Sequence, residues 1–525
     1  MAFFSLDPDH PGLLDPDGRP FFTLGVNYEG YFDRAWAMWR PGLFDLTLIE
    51  RDFAKARACG FNTVRLFVQK ENRNEVERGN WRRFDAVIHL ARKYGLAVML
   101  TFNDEHRPHL EAVGRFNARI AAHFKGDPII HSWDLENEPR LYNLLVAVYP
   151  DAPCPLLTSA LVDHYGQFVP RTEVDMKRVP GSLRKDRTRA FYYANAVEAY
   201  IRFARDARAS GLSTIVDYMR SDQSEYWKPF LRLLNDTLAA WLKPQIEPLR
   251  AADPNRLLSV GWNWESLAAL PANRALDFHM IHKYGTIGYK PLNNIFSILK
   301  ALQRTFPSQP VLMGEFGYST GGHPYAPKEA HPVDPRLVAL HEAATLCFLR
   351  AEGFAGGLKW MLNDVRTSDN PFEAGLGIYA DGDREKPSRR VYSHLAALWR
   401  QTEDRGHLKL EADDQTLIRL HYQCESGGLS GGGRGSGALA WNGGQPVHIF
   451  TTCSLNGQIR VEADAPLSLR LDPQALSARW QPGRGTAIYR LWSNTFSAEG
   501  THPPGQPVPL SLTDGLPRLL SPCIK

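Results

Sequence analysis

The sequence predicts an α/β protein built on an eight-stranded (β/α)8, or TIM, barrel. Short apolar runs alternate with helical patterns from Phe21 to about Arg400, as expected for repeated βα units around a parallel sheet. A doubly wound open sheet is the competing fold, but no Gly-rich phosphate loop follows any early strand. The eight predicted strands are Phe21–Asn27, Asn62–Val68, Ala97–Phe102, Ile130–Asn137, Arg256–Trp262, Asp277–His282, Pro310–Glu315 and Gly356–Met361.

Helical stretches separate these strands, and a closing helix is predicted near Ser388–Trp399. In such a barrel the active site is expected at the carboxyl ends of the strands. The predicted intervening helices are Leu46–Cys59, Phe84–Tyr94, Leu110–Phe124, Ile295–Phe306 and Pro335–Ala351.

A long insertion, about residues 140–250, is predicted after the fourth strand. More than 110 residues separate Glu138 from Arg256, far more than a βα connection requires. The insertion leaves from the active-site face, so one interpretation is a lid or wall that closes one end of the cleft. The other is one long fourth helix with a surface excursion.

Residues 403–525 are predicted to form a small C-terminal β-sandwich after a catalytic domain of residues 1–402. Helical periodicity gives way there to short alternating runs, with a glycine-rich stretch among them. Such a domain either binds sugar, through Trp441, Trp480 or Trp492, or simply packs on the barrel. Its predicted strands are Leu417–Tyr422, Ala438–Trp441, Val447–Thr451, Gln458–Glu462 and Ala487–Trp492.

The composition is that of an ordinary globular protein. The chain has 525 residues, is 43% hydrophobic and 22% charged, and carries a formal net charge of +4, which gives no reason to expect nucleic acid or membrane as a partner. Neither a signal peptide nor a long apolar run is visible, so a cytoplasmic enzyme is expected. The six cysteines have no CxxC or zinc spacing, and no motif predicts a metal or other cofactor.

Two of the predicted strands end on a glutamate. Glu138 lies between Asn137 and Pro139 at the end of the fourth strand, and Glu315 lies at the end of the seventh. A charge at the tip of a buried strand needs a partner or a function. Retaining glycosidases use two carboxyl groups about 5–5.5 Å apart, and opposed strands of one barrel can provide that spacing. Glycines flank Glu315 and are interpreted as letting the backbone turn.

These motifs resemble the retaining clan A glycoside hydrolases, with the cellulase, β-mannanase and β-mannosidase types of family 5 most similar. The similarity covers roughly Gly25 to Trp399. It is carried by Asn137-Glu138-Pro139 and Gly314-Glu315-Phe316-Gly317, supported by Gly25-Val26-Asn27-Tyr28, Gly60-Phe61-Asn62-Thr63-Val64-Arg65, His282-Lys283-Tyr284 and Trp360.

The resemblance implies a role for each matching residue. Glu315 would be the nucleophile, kept ionised by Arg65 and oriented by Tyr284. Glu138 would be the acid and then the base, with a pKa raised by burial and by ionised Glu315.

The remaining assignments concern substrate contacts. Asn137 would bind the sugar 2-hydroxyl, Trp360 would form the floor of the cleaved subsite, and His282 would form a polar wall. For Arg65, Trp360 and His282 the alternative is a purely structural role. For Asn27, Asn103, Glu105 and His106 the alternatives are substrate contact and loop capping. Trp36, Trp39, Trp262 and Trp264 are candidates for sugar platforms or for packing, and His323 is a candidate for the mouth or for a surface loop.

The expected activity is double-displacement hydrolysis of a β-linked oligosaccharide. An exo-acting β-mannosidase, β-glucosidase or β-galactosidase is favoured, because a long insertion would turn an open groove into a pocket. The alternatives are an endo-β-mannanase or endo-β-glucanase, a transglycosylase, and a non-catalytic carbohydrate-binding barrel. Sugar identity, linkage and oligomeric state are left open by the sequence.

Overall fold

The computed structural model describes most of the first 401 residues and a set of strands beyond them. The described ranges are 3–102, 106–150, 179, 181, 184–285, 289–322, 333, 335–401, 408–412, 416–420, 449–453, 459–463, 487–492, 497–502 and 523–524.

Eight parallel strands form a closed barrel, which confirms the predicted fold class. The strands follow one another around the barrel in chain order, and β8 pairs with β1 to close it. The apolar character of the predicted runs is explained by their positions, because nearly every strand residue is buried. The strands are β1 Thr23–Tyr28, β2 Thr63–Phe67, β3 Ala97–Thr101, β4 Ile130–Asn137, β5 Leu257–Trp262, β6 His279–Tyr284, β7 Val311–Gly317 and β8 Gly356–Lys359.

A helix follows each strand, and the first begins with a side-chain cap. The carboxylate of Asp45 accepts hydrogen bonds from the backbone N–H groups of Thr47 and Leu48, which satisfies two donors of the first turn. The helices are α1 Leu46–Ala58, α2 Arg82–Lys93, α3 Leu110–His123, α4 Lys228–Ala252, α5 Glu265–Ala268, α6 Tyr289–Thr305, α7 Pro335–Ala351 and α8 Ser388–Gln401. Shorter helices at Lys70–Glu77 and Pro371–Ala374 lie in the connections after β2 and β8.

Three short antiparallel strands, Ser5–Leu6, Leu13–Leu14 and Pro20–Phe21, precede the barrel. Their apolar side chains, with Phe4, join a buried cluster of barrel residues that includes Met280 and Leu312. These barrel residues lie in the amino-terminal halves of their strands. The apolar cluster therefore covers one end of the barrel, opposite the carboxyl ends where Glu138 and Glu315 lie.

The long connection after β4 consists of separate helices followed by α4. Because α4 packs against α3, it serves as the fourth helix of the barrel, and the insertion proper ends before Lys228 rather than near residue 250. Residues 151–178, which belong to the insertion, lie outside the described residues. The helical segments of the insertion are Leu141–Val148, Arg187–Tyr192, Tyr193–Val197 (a π-helix), Glu198–Ala209, Ile215–Arg220 and Asp222–Trp227 (a 3₁₀-helix).

The insertion contacts two connections at the carboxyl end of the barrel. A guanidinium N–H of Arg189 donates to the backbone carbonyl of His106, after β3, at 3.3 Å. The ring of Tyr200 stacks on that of Trp264, after β5, with centroids 4.2 Å apart. The insertion therefore stands beside the mouth of the barrel between these two connections.

Helices α3 and α4 approach most closely at Gly114. A Cβ there would lie 2.1 Å from the backbone oxygen of Pro244, and the intrahelical partner of that oxygen is missing because Pro248 has no N–H. We expect Gly114→Ala to lower the free energy of unfolding by about 1–3 kcal/mol through forced separation of the helices. Thermal or denaturant unfolding would measure the change. Helix propensity cannot account for such a loss, because a Gly→Ala change inside a helix is by itself stabilising by about 1 kcal/mol.

Among the described residues beyond α8, seven strands form three small antiparallel sheets, in agreement with the predicted change to β-structure. The predicted run Ala438–Trp441 lies outside the described residues, as does Trp480. Packing of these sheets into a sandwich and the boundary at residue 402 remain predictions. The strands are Leu408–Ala412, Thr416–Leu420, Ile449–Cys453, Ile459–Ala463, Ala487–Trp492, Ser497–His502 and Cys523–Ile524.

No helix among the described residues is both long enough and apolar enough to span a lipid bilayer.

Candidate active site

The tips of β4 and β7 bring Glu138 and Glu315 together. One carboxylate oxygen of each lies within 4.8 Å of the other and of a ring nitrogen of His282. Glu138 follows directly after β4 with a φ of 46°, a left-handed conformation that is uncommon for a residue with a side chain. Its backbone N–H donates to the carbonyl of Gly261 at 2.8 Å, which holds this turn against β5.

Both oxygens of the buried Glu315 carboxylate accept hydrogen bonds. Arg65 donates from Nη1 to Oε1 at 2.7 Å, and the Tyr284 hydroxyl donates to Oε2 at 2.5 Å. The structure thus brings Arg65 and Tyr284 to Glu315, as the resemblance implies. Burial and the negative charge of Glu315 raise the pKa of the Tyr284 hydroxyl well above its usual range, so this hydroxyl remains a donor.

Arg65 is itself fully buried and held by several acceptors. Its Nη2 donates to Asp134 at 2.7 Å and to Asn137 at 2.9 Å, while Nη1 also donates to Asn27 at 2.9 Å. These hydrogen bonds orient the guanidinium toward Glu315. Because the group is fully buried, a substrate cannot contact it directly. Arg65 therefore acts through Glu315, and its assignment as a direct substrate contact does not fit.

Asn27 also lies inside the barrel rather than at its mouth. Its side chain is fully buried, its Oδ1 accepts from Arg65, and its Nδ2 donates to the backbone carbonyl of Gly314 at 3.1 Å. Neither substrate contact nor loop capping describes this residue, because both ends of its amide are used within the barrel. Asn27 instead positions Arg65.

Two side chains contact the Glu138 carboxylate. His282 places Nδ1 3.2 Å from Oε1, and Asn263 donates from Nδ2 to Oε2 at 3.0 Å. The same His282 nitrogen lies 3.3 Å from Oε1 of Glu315, so the imidazole bridges the two carboxylates. His282 is fully buried and forms part of the site, as predicted.

Gly314 makes room for this imidazole. A Cβ at this position would lie 2.8 Å from Nε2 of His282 and 2.3 Å from Cγ of Met280. Gly314 does not have a positive φ. The glycine before Glu315 is thus required for close packing, and its interpretation as a turn residue is wrong.

The pKa directions of the two glutamates are the reverse of the expected ones. Burial raises the pKa of Glu315, and the negative charge of Glu138 raises it further. The charges of His282 and Arg65 lower this pKa but do not reverse the shift. At Glu138, burial is outweighed by hydrogen bonding to His282, by the charge of that residue, and by the Asn263 amide, so the pKa is lowered. The expectation of a raised pKa for Glu138 in this arrangement is wrong, because its donors were not foreseen.

His106 and Asn137 occupy different parts of the mouth. Nδ1 of His106 lies 2.7 Å from Oε1 of the buried Glu136, and no described contact joins His106 to Glu138 or Glu315. Asn137 accepts from Arg65 through Oδ1, which orients its amide beside the carboxylate pair. Asn103, Glu105 and His323 lie outside the described residues.

Trp360 lies immediately after β8, with only 7% of its surface exposed. Its ring meets Phe67 edge to face at a centroid distance of 5.9 Å, within a cluster that also contains Met361 and Phe372. Its role as the floor under the sugar stays a prediction. The peptide bond between Trp360 and Met361 is cis.

The other candidate tryptophans differ in how deeply they are buried. Trp39 and Trp262 are fully buried, so their interpretation as sugar platforms is wrong and they belong to the core. Trp264 stacks on Tyr200 of the insertion. Trp36 is 37% exposed with a φ of 61°, in the connection after β1, and remains compatible with a platform.

Glu138, His282 and Glu315 offer ligand atoms at distances that would suit a metal ion. The donors around them favour another use. Arg65 and Tyr284 occupy both oxygens of Glu315, and a guanidinium 2.7 Å from a carboxylate oxygen competes directly with a cation. The donor set therefore fits proton transfer and nucleophilic chemistry better than metal binding.

Sequence reasoning missed three residues of this site. Asp134 precedes the tip of β4 and Asn263 follows the tip of β5, so the rule that found Glu138 could have found both. Glu373 lies 12 residues beyond the cis peptide bond in the connection after β8, where no local pattern marks it. Its proximity to the site is evident only in the tertiary structure.

Comparison with solved structures finds glycoside hydrolases. An exo-β-1,4-mannosidase from an Opitutaceae bacterium, strain TAV5, is 15% identical with a TM-score of 0.47, and the alignment covers 80% of this chain and 64% of that one. A GH5_18 protein from Streptomyces cattleya, in complex with GlcNAc, is 17% identical with a TM-score of 0.46, covering 77% and 84%. A β-glucuronidase from Bacteroides uniformis is 12% identical with a TM-score of 0.44, covering 96% and 45%.

The chain thus spans slightly less than two thirds of the mannosidase and under half of the glucuronidase. Neither a scan against protein-family models nor a search of curated proteins found a match.

Proposed function

We propose that this protein is a retaining β-glycoside hydrolase in which Glu315 is the nucleophile and Glu138 the acid and base. One observation carries the proposal: carboxylate oxygens of the two residues lie within 4.8 Å of each other at the tips of β4 and β7. This upper bound lies below the roughly 6.5–9.5 Å of inverting enzymes and is compatible with the roughly 5–5.5 Å of retaining ones.

In the first step, an oxygen of Glu315 attacks the anomeric carbon and the glycosidic bond breaks. The proton on Glu138 passes to the departing oxygen, so an alcohol leaves and a covalent glycosyl ester remains on Glu315. In the second step, ionised Glu138 takes a proton from water, whose oxygen attacks the same carbon and releases Glu315. Two inversions at the anomeric carbon retain its configuration.

The protonation states are set by the substrate as well as by the protein. A glycosidic oxygen is only an acceptor, so Glu138 can hydrogen-bond it only in the protonated form. The positive charge that develops at the anomeric carbon favours ionised Glu315, which already accepts from Arg65 and Tyr284. Bound substrate therefore opposes the pKa order of the two carboxyls and favours the state in which Glu138 is protonated and Glu315 is ionised.

Asn137 is proposed to contact the sugar 2-hydroxyl. Its Oδ1 accepts from Arg65, and this contact sets the orientation of the amide next to the reacting carbon. Hydrogen bonds to the 2-hydroxyl strengthen in the oxocarbenium-like transition state. The same guanidinium thus organises the nucleophile and the amide together.

Exo action on a short β-linked oligosaccharide is favoured by the insertion. Its contacts with the connections after β3 and β5, through Arg189 and Tyr200, build a wall beside the mouth. A walled site accepts a chain end more readily than the middle of a polymer. A β-mannosidase, β-glucosidase or β-galactosidase activity follows, with endo cleavage of a β-mannan or β-glucan as the alternative.

The test is a panel of nitrophenyl β-glycosides together with linear β-oligosaccharides. We expect turnover of one neutral β-glycoside and release of single sugars from the chain end. Proton NMR of the first product should show the β-anomer, and a 2-deoxy-2-fluoro glycosyl fluoride should label the peptide that contains Glu315. An α-anomeric first product, or a label on a different residue, would contradict the mechanism; release of internal fragments would favour endo cleavage.

A further inference from the structure

A third carboxylate, that of Glu373, lies near the catalytic pair. Glu373 belongs to the short helix Pro371–Ala374 in the connection after β8. The Asn370 side chain caps this helix by accepting the Phe372 N–H at 3.1 Å, and the Ser319 hydroxyl donates to the Phe372 carbonyl at 2.7 Å. These contacts fix the segment to the connection after β7.

The same segment faces the nucleophile's hydrogen-bond partner. Phe372 is buried, and its ring meets that of Tyr284 edge to face at a centroid distance of 6.0 Å. The indole of Trp360 interacts with the neighbouring Glu373 carboxyl and lowers its pKa, in opposition to burial. Glu373 is therefore positioned beside the floor and the nucleophile side of the site.

The electrostatics agree with this position. Burial raises the pKa of Glu373, and the charges of Glu315 and Glu138 raise it further, so all three carboxyls interact. Among the described residues, no Lys, Arg or His forms an ion pair with Glu373. Its side chain is only partly buried, and an ionised carboxylate has about four acceptor positions. The Trp360 indole can use only one of them.

We propose that Glu373 accepts hydrogen bonds from hydroxyl groups of the sugar bound over Trp360 and so selects neutral sugars. The inference rests on the proposed glycosidase function and deepens it. An apolar ring face and an adjacent acceptor suit a sugar, whose C–H face stacks while its hydroxyls donate. A carboxylate on the sugar would instead face three carboxyls of the protein and be repelled.

A structural role is the competing explanation, in which Glu373 only holds the Trp360 indole. The two explanations differ in their dependence on substrate. If Glu373 only holds Trp360, its loss should weaken the binding and turnover of every sugar equally. If it accepts a hydrogen bond from the sugar, its loss should affect only sugars that carry the corresponding hydroxyl.

The experiment compares Glu373→Ala and Glu373→Gln with wild type on a neutral nitrophenyl β-glycoside, its monodeoxy analogues and the matching β-glucuronide. We expect Glu373→Ala to lower kcat/KM for the neutral sugar by about 10- to 100-fold, as for a lost charge-assisted hydrogen bond. One deoxy analogue should show almost no further loss. Glu373→Gln should improve the ratio of glucuronide to neutral-sugar turnover by at least about tenfold. Asp369→Asn removes an exposed charge from the same connection and should change nothing.

Binding gives a readout that does not need turnover. Calorimetric titration with mannose, glucose and galactose should show about 10- to 100-fold weaker binding of the preferred sugar to Glu373→Ala. Equal losses for all deoxy analogues would assign Glu373 to holding Trp360 and overturn the proposal, as would unchanged binding and turnover. An inactive wild type that still binds neutral sugar through Glu373 would refute the proposed hydrolysis and leave this role intact.

Discussion

Replacing Glu315 with alanine is expected to lower kcat by a factor on the order of 10⁴–10⁶ and to make the residual activity responsive to azide. The large factor follows because the covalent intermediate forms on this carboxylate, and losing a nucleophile removes a whole step. Azide fits the space of the lost carboxylate and attacks the anomeric carbon once, so the product should be the α-glycosyl azide. Its anomeric configuration is read by NMR.

Folding is the control for this variant, because Glu315→Ala leaves part of the charge of buried Arg65 without a partner. Breaking a buried pair costs about 3–5 kcal/mol, although Asp134 still pairs with the guanidinium. Glu315→Gln keeps the size and an acceptor oxygen and should lose turnover with a smaller loss of stability. A β-glycosyl azide from the Glu315→Ala protein would exchange the roles of the two glutamates.

Replacing Glu138 with glutamine or alanine is expected to give a loss that depends on the leaving group. For a natural oligosaccharide or an alkyl glycoside, kcat/KM should fall by about 10²–10⁴, the usual contribution of a general acid. A dinitrophenyl glycoside needs no proton to leave, so its first step should be nearly unaffected and the covalent intermediate should accumulate. A burst of dinitrophenol in rapid kinetics would show this accumulation.

Azide distinguishes this variant from the other one. It should attack the accumulated intermediate of Glu138→Ala without base assistance and give the β-glycosyl azide. Asn263→Ala is the matched comparison, because it removes a donor to Glu138 and retains the carboxylate. An equal loss for all leaving groups in Glu138→Gln would show that Glu138 is not the acid.

Much of the architecture could be predicted from the sequence, because it depends on local patterns of apolar and polar residues. Each barrel strand is buried on both faces, so it appears as an apolar run, and the observed bounds differ from the predicted ones by only a few residues. The two catalytic candidates were found because strand tips in a parallel barrel share one mouth. The end of the insertion was harder to predict, because α4 and the helices before it are both amphipathic and the sequence pattern does not separate them.

The finer assignments depended on contacts between residues distant in sequence. Asn27 looks like a strand-tip polar residue, yet its amide is used by Arg65 and by the backbone of Gly314. Trp262 looks like a platform, yet it is core. The pKa of Glu138 depends on how closely His282 in β6 and Asn263 after β5 approach its carboxylate, and these distances are set by the tertiary structure.

By itself, then, the sequence determined the barrel, its strand order, and the meeting of Glu138 and Glu315 at one mouth. Periodicity and order along the chain suffice for these features, since parallel strands in sequence order leave little choice of topology. Only the tertiary structure decided that Asn27 holds the guanidinium of Arg65, that Gly314 makes room for His282, and that Glu373 lies near the pair of glutamates. These features depend on side-chain packing and burial, which bring together residues far apart in sequence, such as Asn27 and Gly314, separated by 287 positions.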